Sequence, residues 1–267
     1  MNAPSSVVRT VLVHELRNLP RNRGLVVLAC LTLLVTESVL RLTGSGSRAL
    51  VTLLSLVLLI IPLVSVTIGV IAWHASREFT ELLLSHPVRR SALYVALYLS
   101  HVTPLAATVM LAVALPFLWH HAIASDDAGL LATMLGGIGA LTAVFGGIAL
   151  WIAVRVDDRL RAMSLSLAVW LLLTVVYDGL VLLVATTFSD YSLERPMLAL
   201  MLGNPVDLTR TLIIMQSDQA ALMGYTGAVM HRFLGTGLGI SAALLGLTVW
   251  ILIPAWAGRR VFERRDF

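Results

Sequence analysis

Lysine is absent from all 267 residues, so every one of the 19 basic side chains is an arginine. Chemistry that needs a lysine has none to use: a nucleotide-binding P-loop, a kinase lysine, a Schiff base. The chain is therefore not its own P-loop ATPase. Cys30 is the single cysteine, which excludes an intrachain disulfide and any CxxC metal or redox pair. Charge is scarce as well. Charged residues make up 13% of the chain, against about 25% in soluble domains. Hydrolase signatures are missing too. His14-Glu15 is followed by Leu16-Arg17-Asn18, not by the x-x-His of a zinc site, and Gly44-Ser45-Gly46-Ser47 reads as a turn. No two carboxylates stand at helical spacing inside an apolar run, as an intramembrane hydrolase needs. What is abundant is apolar surface: 58% hydrophobic residues and a mean hydropathy of +0.90. That composition belongs to an all-α, polytopic membrane protein.

A bilayer core of about 30 Å takes about 20 apolar residues as helix. Six stretches meet that length: 24–42, 49–73, 93–119, 129–154, 163–188 and 234–256. Together they form a single transmembrane domain over residues 1–267. Fourteen arginines collect at the N-terminus, after spans two and four, and at the C-terminus, whereas five fall on the other side. Positive residues stay in the cytoplasm, so both termini are expected there, as an even number of spans requires. The arginines follow topology, which argues against nucleic-acid binding. Ahead of span one, Val8, Leu12, Leu16 and Leu19 recur at helical spacing within Val7–Leu19. An interfacial amphipathic helix is predicted there rather than a cleavable signal peptide.

Two stretches outside the spans are long enough to act. On the cytoplasmic side, Ser76–Arg90 reads SREFTELLLSHPVRR. Phe79, Leu82 and Leu83 share one helical face, Glu78 and Glu81 another, and Pro87 ends the helix. The segment is either a plain surface loop or a dock for a cytoplasmic partner. On the outer side, Ser189–Phe233 is too long for a structureless loop. Its apolar runs are too short to span, so short helices are expected lying at the outer surface or dipping into it. Asn204 or Asp207 is placed to cap the helix that follows, with Pro205 in its first turn.

Several of these segments are similar to ABC-2 type ABC-transporter permeases. More narrowly, they resemble NosY-type permeases of nitrous oxide reductase maturation. The residues that carry the likeness are Arg77–Leu84 with Pro87-Val88-Arg89-Arg90, then Asn204-Pro205-Val206-Asp207, Leu222–Ala228 and Arg264–Phe267. The resemblance implies one half of a homodimer in the bacterial inner membrane. It implies a separate cytoplasmic ATPase (NosF-type), holding ATP and Mg, docked on a coupling helix at 76–87. Glu78, Phe79, Glu81, Leu82, Leu83, Pro87, Arg89 and Arg90 are the candidate contacts. It also implies a periplasmic solenoid partner (NosD-type) and a role in copper-site assembly.

Individual residues leave more than one reading. Five of the eight methionines other than Met1 fall in 189–233: Met197, Met201, Met215, Met223 and Met230, the last beside His231. Thioethers and imidazole suit Cu(I), and a transient external copper contact by Met197, Met201, Met223, Met230 and His231 is one reading. Adaptable packing is the other. His120-His121 reads as a solvated loop. Asp178 lies deepest in a span; it lines a conduit, carries a proton, or pairs with His101, or with its dimer mate, for assembly. Asn204, Asp207 and Arg210 are expected to shape the external segment. Glu37 is close enough to the outer edge to be wetted or to pair with Arg41. Gly139, Ala143 and Gly147, with Gly235, Gly239 and Ala243, mark close helix packing, and Pro62, Pro104 and Pro116 mark kinks. The alternatives to copper maturation are a general exporter of lipid- or drug-like molecules, a mechanotransmitter that moves nothing across, and, least of all, an intramembrane enzyme.

Overall fold

A computed structural model describes residues 23–44, 46–84, 89–121, 128–188, 199–216 and 237–265. The amphipathic helix expected over Val7–Leu19 lies outside them, as do Pro87, Met197, Met223, Met230, His231 and the side chain of Phe79. The described residues form helices and no strand.

The helices are α1 (Arg23–Thr43), α2 (Gly46–Leu84), α3 (Arg90–Trp119), α4 (Ala128–Arg155), α5 (Arg159–Leu171), a π-helical segment (Leu172–Val176), α6 (Tyr177–Thr187), α7 (Pro205–Met215) and α8 (Gly237–Arg264). Six described helical runs are long and apolar enough to cross a membrane, with α5, the π segment and α6 acting as one. The arginine-bearing ends of α2, α3 and α8 meet at the connection between α4 and α5.

The change from apolar to charged residues after span two predicts a separate short helix at 76–87. Instead α2 runs unbroken from Gly46 to Leu84. No proline or glycine falls between Val70 and Leu84 to break it, so the ladder of hydrogen bonds continues past the apolar stretch. α2 and α3 each carry their prolines inside a continuous helix.

The core is centred on α4, which packs against α2, α3, α5, α7 and α8. Lipid supplies no hydrophobic drive between helices, so close van der Waals approach must do it. α4 is built for that. A Cβ on Gly147 would sit 3.3 Å from Pro254 Cβ and 3.5 Å from the Tyr98 ring, and one on Gly139 would sit 2.8 Å from the Met110 methyl. Tyr98 donates to the Ala143 carbonyl at 2.9 Å on the same ridge. The predicted Gly139–Ala143–Gly147 face is thus where α3 and α8 pack.

Candidate functional site

At the arginine-rich end, the last turns of α2 stand at the junction of three other segments. Thr80 is buried, and Leu83 and Leu84 pack against the core. Glu78 is exposed, and Leu82 is 62% exposed one turn on. The result is an apolar knob beside a carboxylate. Arg77 reaches sideways from its base: its Nε donates to Glu81 Oε1 at 2.9 Å and its Nη1 to Asp157 Oδ1 at 2.7 Å. Asp157 lies between α4 and α5, in the three residues 156–158. It also accepts from Arg265, just beyond α8, whose second nitrogen donates to the Val154 carbonyl. Arg90 closes the assembly from α3, donating to the carbonyls of Glu263 at 3.2 Å and Arg265 at 2.8 Å. Arg265 holds the Asp157 carboxyl below the usual carboxylate range, and Arg77 adds to the effect. Asp158 caps α5 through the Arg161 N–H at 2.9 Å. Beneath the ions, Phe262 is fully buried against Trp73 and Tyr94, with ring centroids 5.9 and 5.8 Å away.

The candidate contacts therefore divide. Glu78 and Leu82 are exposed on the outward side of α2. Glu81 and Arg90 are engaged in internal bonds, and Arg89 is the exposed residue ahead of α3. Sequence reasoning missed Asp157, Phe262 and Arg265. Asp157-Asp158 had a signal: two acids set among Arg155, Arg159 and Arg161 at the positive end.

The second assembly surrounds α7. At 11 residues it is about 16 Å long, half a bilayer core. It does not lie on the surface. Pro205, Val206, Leu208, Thr209 and Ile213 are buried, against α4, α8 and the π segment. A helix that begins in the packed interior must satisfy the backbone polar groups at its ends without water. Three side chains do so. Asn204, fully buried, accepts from the Val206 N–H at 2.9 Å as N-cap and donates to the Leu173 carbonyl of the π segment at 2.7 Å. Tyr177 donates to the Leu200 carbonyl at 2.6 Å, and Trp250 to the Leu202 carbonyl at 3.2 Å. The cap is thus Asn204 rather than Asp207.

Asp207 instead joins Arg210, 3.1 Å away, and Arg210 meets Asp178 through both nitrogens at 2.8 and 3.2 Å. The partner of Asp178 is Arg210, not His101. His101 lies elsewhere, buried where Gly69 and Gly146 leave room for its ring. The guanidinium matches a carboxylate in charge and fork geometry, and α7 brings it to Asp178. Met201 is buried against Leu208, Ala243 and Leu247, which takes it out of the external copper set. No group of three or more metal-ligating His, Cys, Asp or Glu occurs among the described residues. Between α4, α7 and α8 lies an apolar groove of about 680 Å³, with Gly136, Gly137 and Ala140 on one wall and Leu244, Leu247 and Ile251 on another. At the end opposite the arginines, Glu37 pairs with Arg41 at 2.6 Å as expected, and also with His120 at 2.9 Å. His120 is therefore a tie between α1 and α3 rather than a free loop residue.

A family model described as ABC-2 family transporter protein matches residues 56–267. The chain belongs to the ABC-2 transporter family. This ABC-2 permease is also similar to two curated relatives, each described as a probable ABC transporter permease protein NosY. The one from Pseudomonas aeruginosa (strain PAO1) is 25% identical over 94% of each chain. The one from Stutzerimonas stutzeri is 26% identical over 91% of each. The NosY-type likeness read from the sequence is borne out. As an ABC-2 permease it is a multi-pass membrane subunit that works with an ATPase.

Proposed function

We propose that this chain is the permease subunit of an ABC transporter assisting copper-site maturation of nitrous oxide reductase. The observation that supports this reading is the likeness to NosY permeases along 94% and 91% of the chain. The arginine-rich end is then cytoplasmic, by the positive-inside rule, in a bacterial inner membrane. A NosF-type ATPase, which holds the ATP and Mg, docks on the exposed Glu78 and Leu82 face. A second copy of the chain completes the membrane domain. A NosD-type periplasmic protein meets the outer side, near α7. Transient Cu(I) contact falls to Met197, Met223, Met230 and His231.

The test is a mild-detergent pull-down from native membranes, followed by copper analysis of the reductase. An ATPase and a periplasmic solenoid protein are expected with the wild-type chain. Leu82→Asp, at a position that is 62% exposed, is expected to lose the ATPase and leave the reductase short of copper while the permease stays folded. Full copper loading in a strain lacking this permease overturns the reading. A second reading is favoured by the 680 Å³ groove, which is in the size range of small-molecule sites: a general exporter of lipid- or drug-like molecules. Photo-crosslinking of an apolar probe at Leu244, competed by substrate, supports that reading; labelling that no compound competes counts against it.

A further inference from the structure

We propose that the Asp157 carboxylate is the joint through which movement of the α2 end is passed to spans four, five and six. The inference rests on the reading that an ATPase docks on that end. Its basis is the convergence of three chain segments on one oxygen. Arg77, at the base of the exposed knob, donates to Asp157 Oδ1 at 2.7 Å. Arg265, at the end of span six, donates to the same atom. Asp157 itself lies in the three-residue connection between spans four and five. A displacement of Arg77 therefore pulls on a residue covalently tied to two spans and ionically tied to a third.

The two arginines are held for that task. Arg77 is fixed along its own helix by Glu81 at 2.9 Å. Arg265 is fixed by the Val154 carbonyl, and its own carbonyl accepts from Arg90 at 2.8 Å. Their side chains are 34% and 16% exposed, whereas that of Asp157 is 69% exposed. A pair so wetted adds little to the stability of the fold. Its strength is geometric: charge-assisted bonds of fixed direction, at the one connection that both α2 and α8 reach by an ion pair among the described residues. Asp157 is thus a positioning residue, acting through the arginines and not on any cargo.

The experiment uses the full complex, chain plus co-purified ATPase, in lipid nanodiscs. Hydrogen–deuterium exchange of α7 is compared with and without a non-hydrolysable ATP analogue, for wild type, Asp157→Asn and Asp157→Glu. Wild type is expected to show a nucleotide-dependent change in α7. Asp157→Asn is expected to keep its ATPase and its melting temperature but to shrink that change at least about fivefold, the low end of ordinary coupling between sites. Asp157→Glu, which keeps the carboxylate, is expected to restore it. Arg77→Gln breaks the same link from the other side, and is the variant to read if Asp157→Asn does not fold. An Asp157→Asn complex that responds to nucleotide like wild type overturns the inference and leaves the docking reading standing. Loss of the ATPase from Asp157→Asn overturns it too, by making the carboxylate part of the dock. A wild-type chain that holds no ATPase overturns the docking reading itself.

Discussion

Replacing Asn204 with alanine tests how α7 is held. The side chain is fully buried and makes two bonds, to the Val206 N–H and to the Leu173 carbonyl. Loss of the N-cap bond costs about 0.5–2 kcal/mol. Stranding a buried carbonyl costs about 1–3 kcal/mol in water-soluble folds. Bonds between membrane helices average nearer about 0.6 kcal/mol, because the reference state in the bilayer also finds partners. The two terms then sum to about 2 kcal/mol. For a chain of this size about 1 kcal/mol moves the midpoint by about 2–4 °C, so Asn204→Ala is expected to melt about 4–8 °C below wild type. The six tryptophans give the signal, as intrinsic fluorescence against temperature in detergent. Asn204→Ser separates the terms. It keeps an acceptor for Val206 and loses the reach to Leu173, so it should fall between the other two. An Asn204→Ala chain melting within about 1 °C of wild type would refute the reasoning, and so would a serine variant no better than alanine.

The Arg210 cluster makes an ordered prediction. Arg210→Ala leaves Asp178 and Asp207 facing each other with no cation between them, whereas Asp178→Asn leaves Arg210 its bond to Asp207. Arg210→Ala should therefore lower the monodisperse yield in detergent more than Asp178→Asn does; equal losses would show that the ion pair is immaterial. Asp157 carries a pH signature. Its carboxyl is held below its usual range by Arg265 and Arg77. A group depressed in the folded state stabilises above its unfolded pKa and loses that effect as pH falls through the folded one. Asp157 is so exposed that Asp157→Asn differs little from wild type in melting temperature at pH 7, and what difference there is should close as pH falls below about pH 4. A gap that persists in acid would assign the effect to something other than the charge.

The spans were legible because length and hydropathy suffice for them, and the arginine count was enough to align their ends. The ion pair at Glu37–Arg41 was legible because it is local, at i and i+4. What escaped was everything that joins distant residues. Asn204 and Leu173 are 31 residues apart, and Asp178 and Arg210 are 32 apart. Asp178 announced that it needed a partner, since a lone carboxylate in a span is costly. His101 and Arg210 both qualified on chemistry, and only the insertion of α7 between the spans decides for Arg210. The π segment, Leu172–Val176, reads as Leu-Leu-Thr-Val-Val and contains neither glycine nor proline to betray it. Its position beside Asn204 supplies a reason for it, because the Leu173 carbonyl finds its donor there. The continuity of α2 was readable, through the absence of any breaker after Gly69. A change of polarity was mistaken for a change of element.

The two ends of the molecule are fastened by different physics, and this bears on which end can move. Around α7 three side-chain donors hold backbone carbonyls: the bond from Asn204 to Leu173 is buried, that from Tyr177 to Leu200 is half-buried, and that from Trp250 to Leu202 lies on the outer face of the helices. Breaking the Asn204 bond strands a buried polar group, which is the costly half of the exchange. At the arginine-rich end the bonds are wet. Asp157 is 69% exposed, so its ion pairs flex at little cost while Arg77 and Arg265 stay bonded to it. Under this chain of ion pairs lies the buried Trp73–Phe262–Tyr94 cluster, which keeps α2, α3 and α8 packed as the charged groups move. A motion started at the arginine-rich end is therefore passed on through Asp157, and reaches α7 by shifting packed helices rather than by breaking the bonds around it. That ordering fits the proposed docking of an ATPase at the wet end, with α7 carried as a unit at the other.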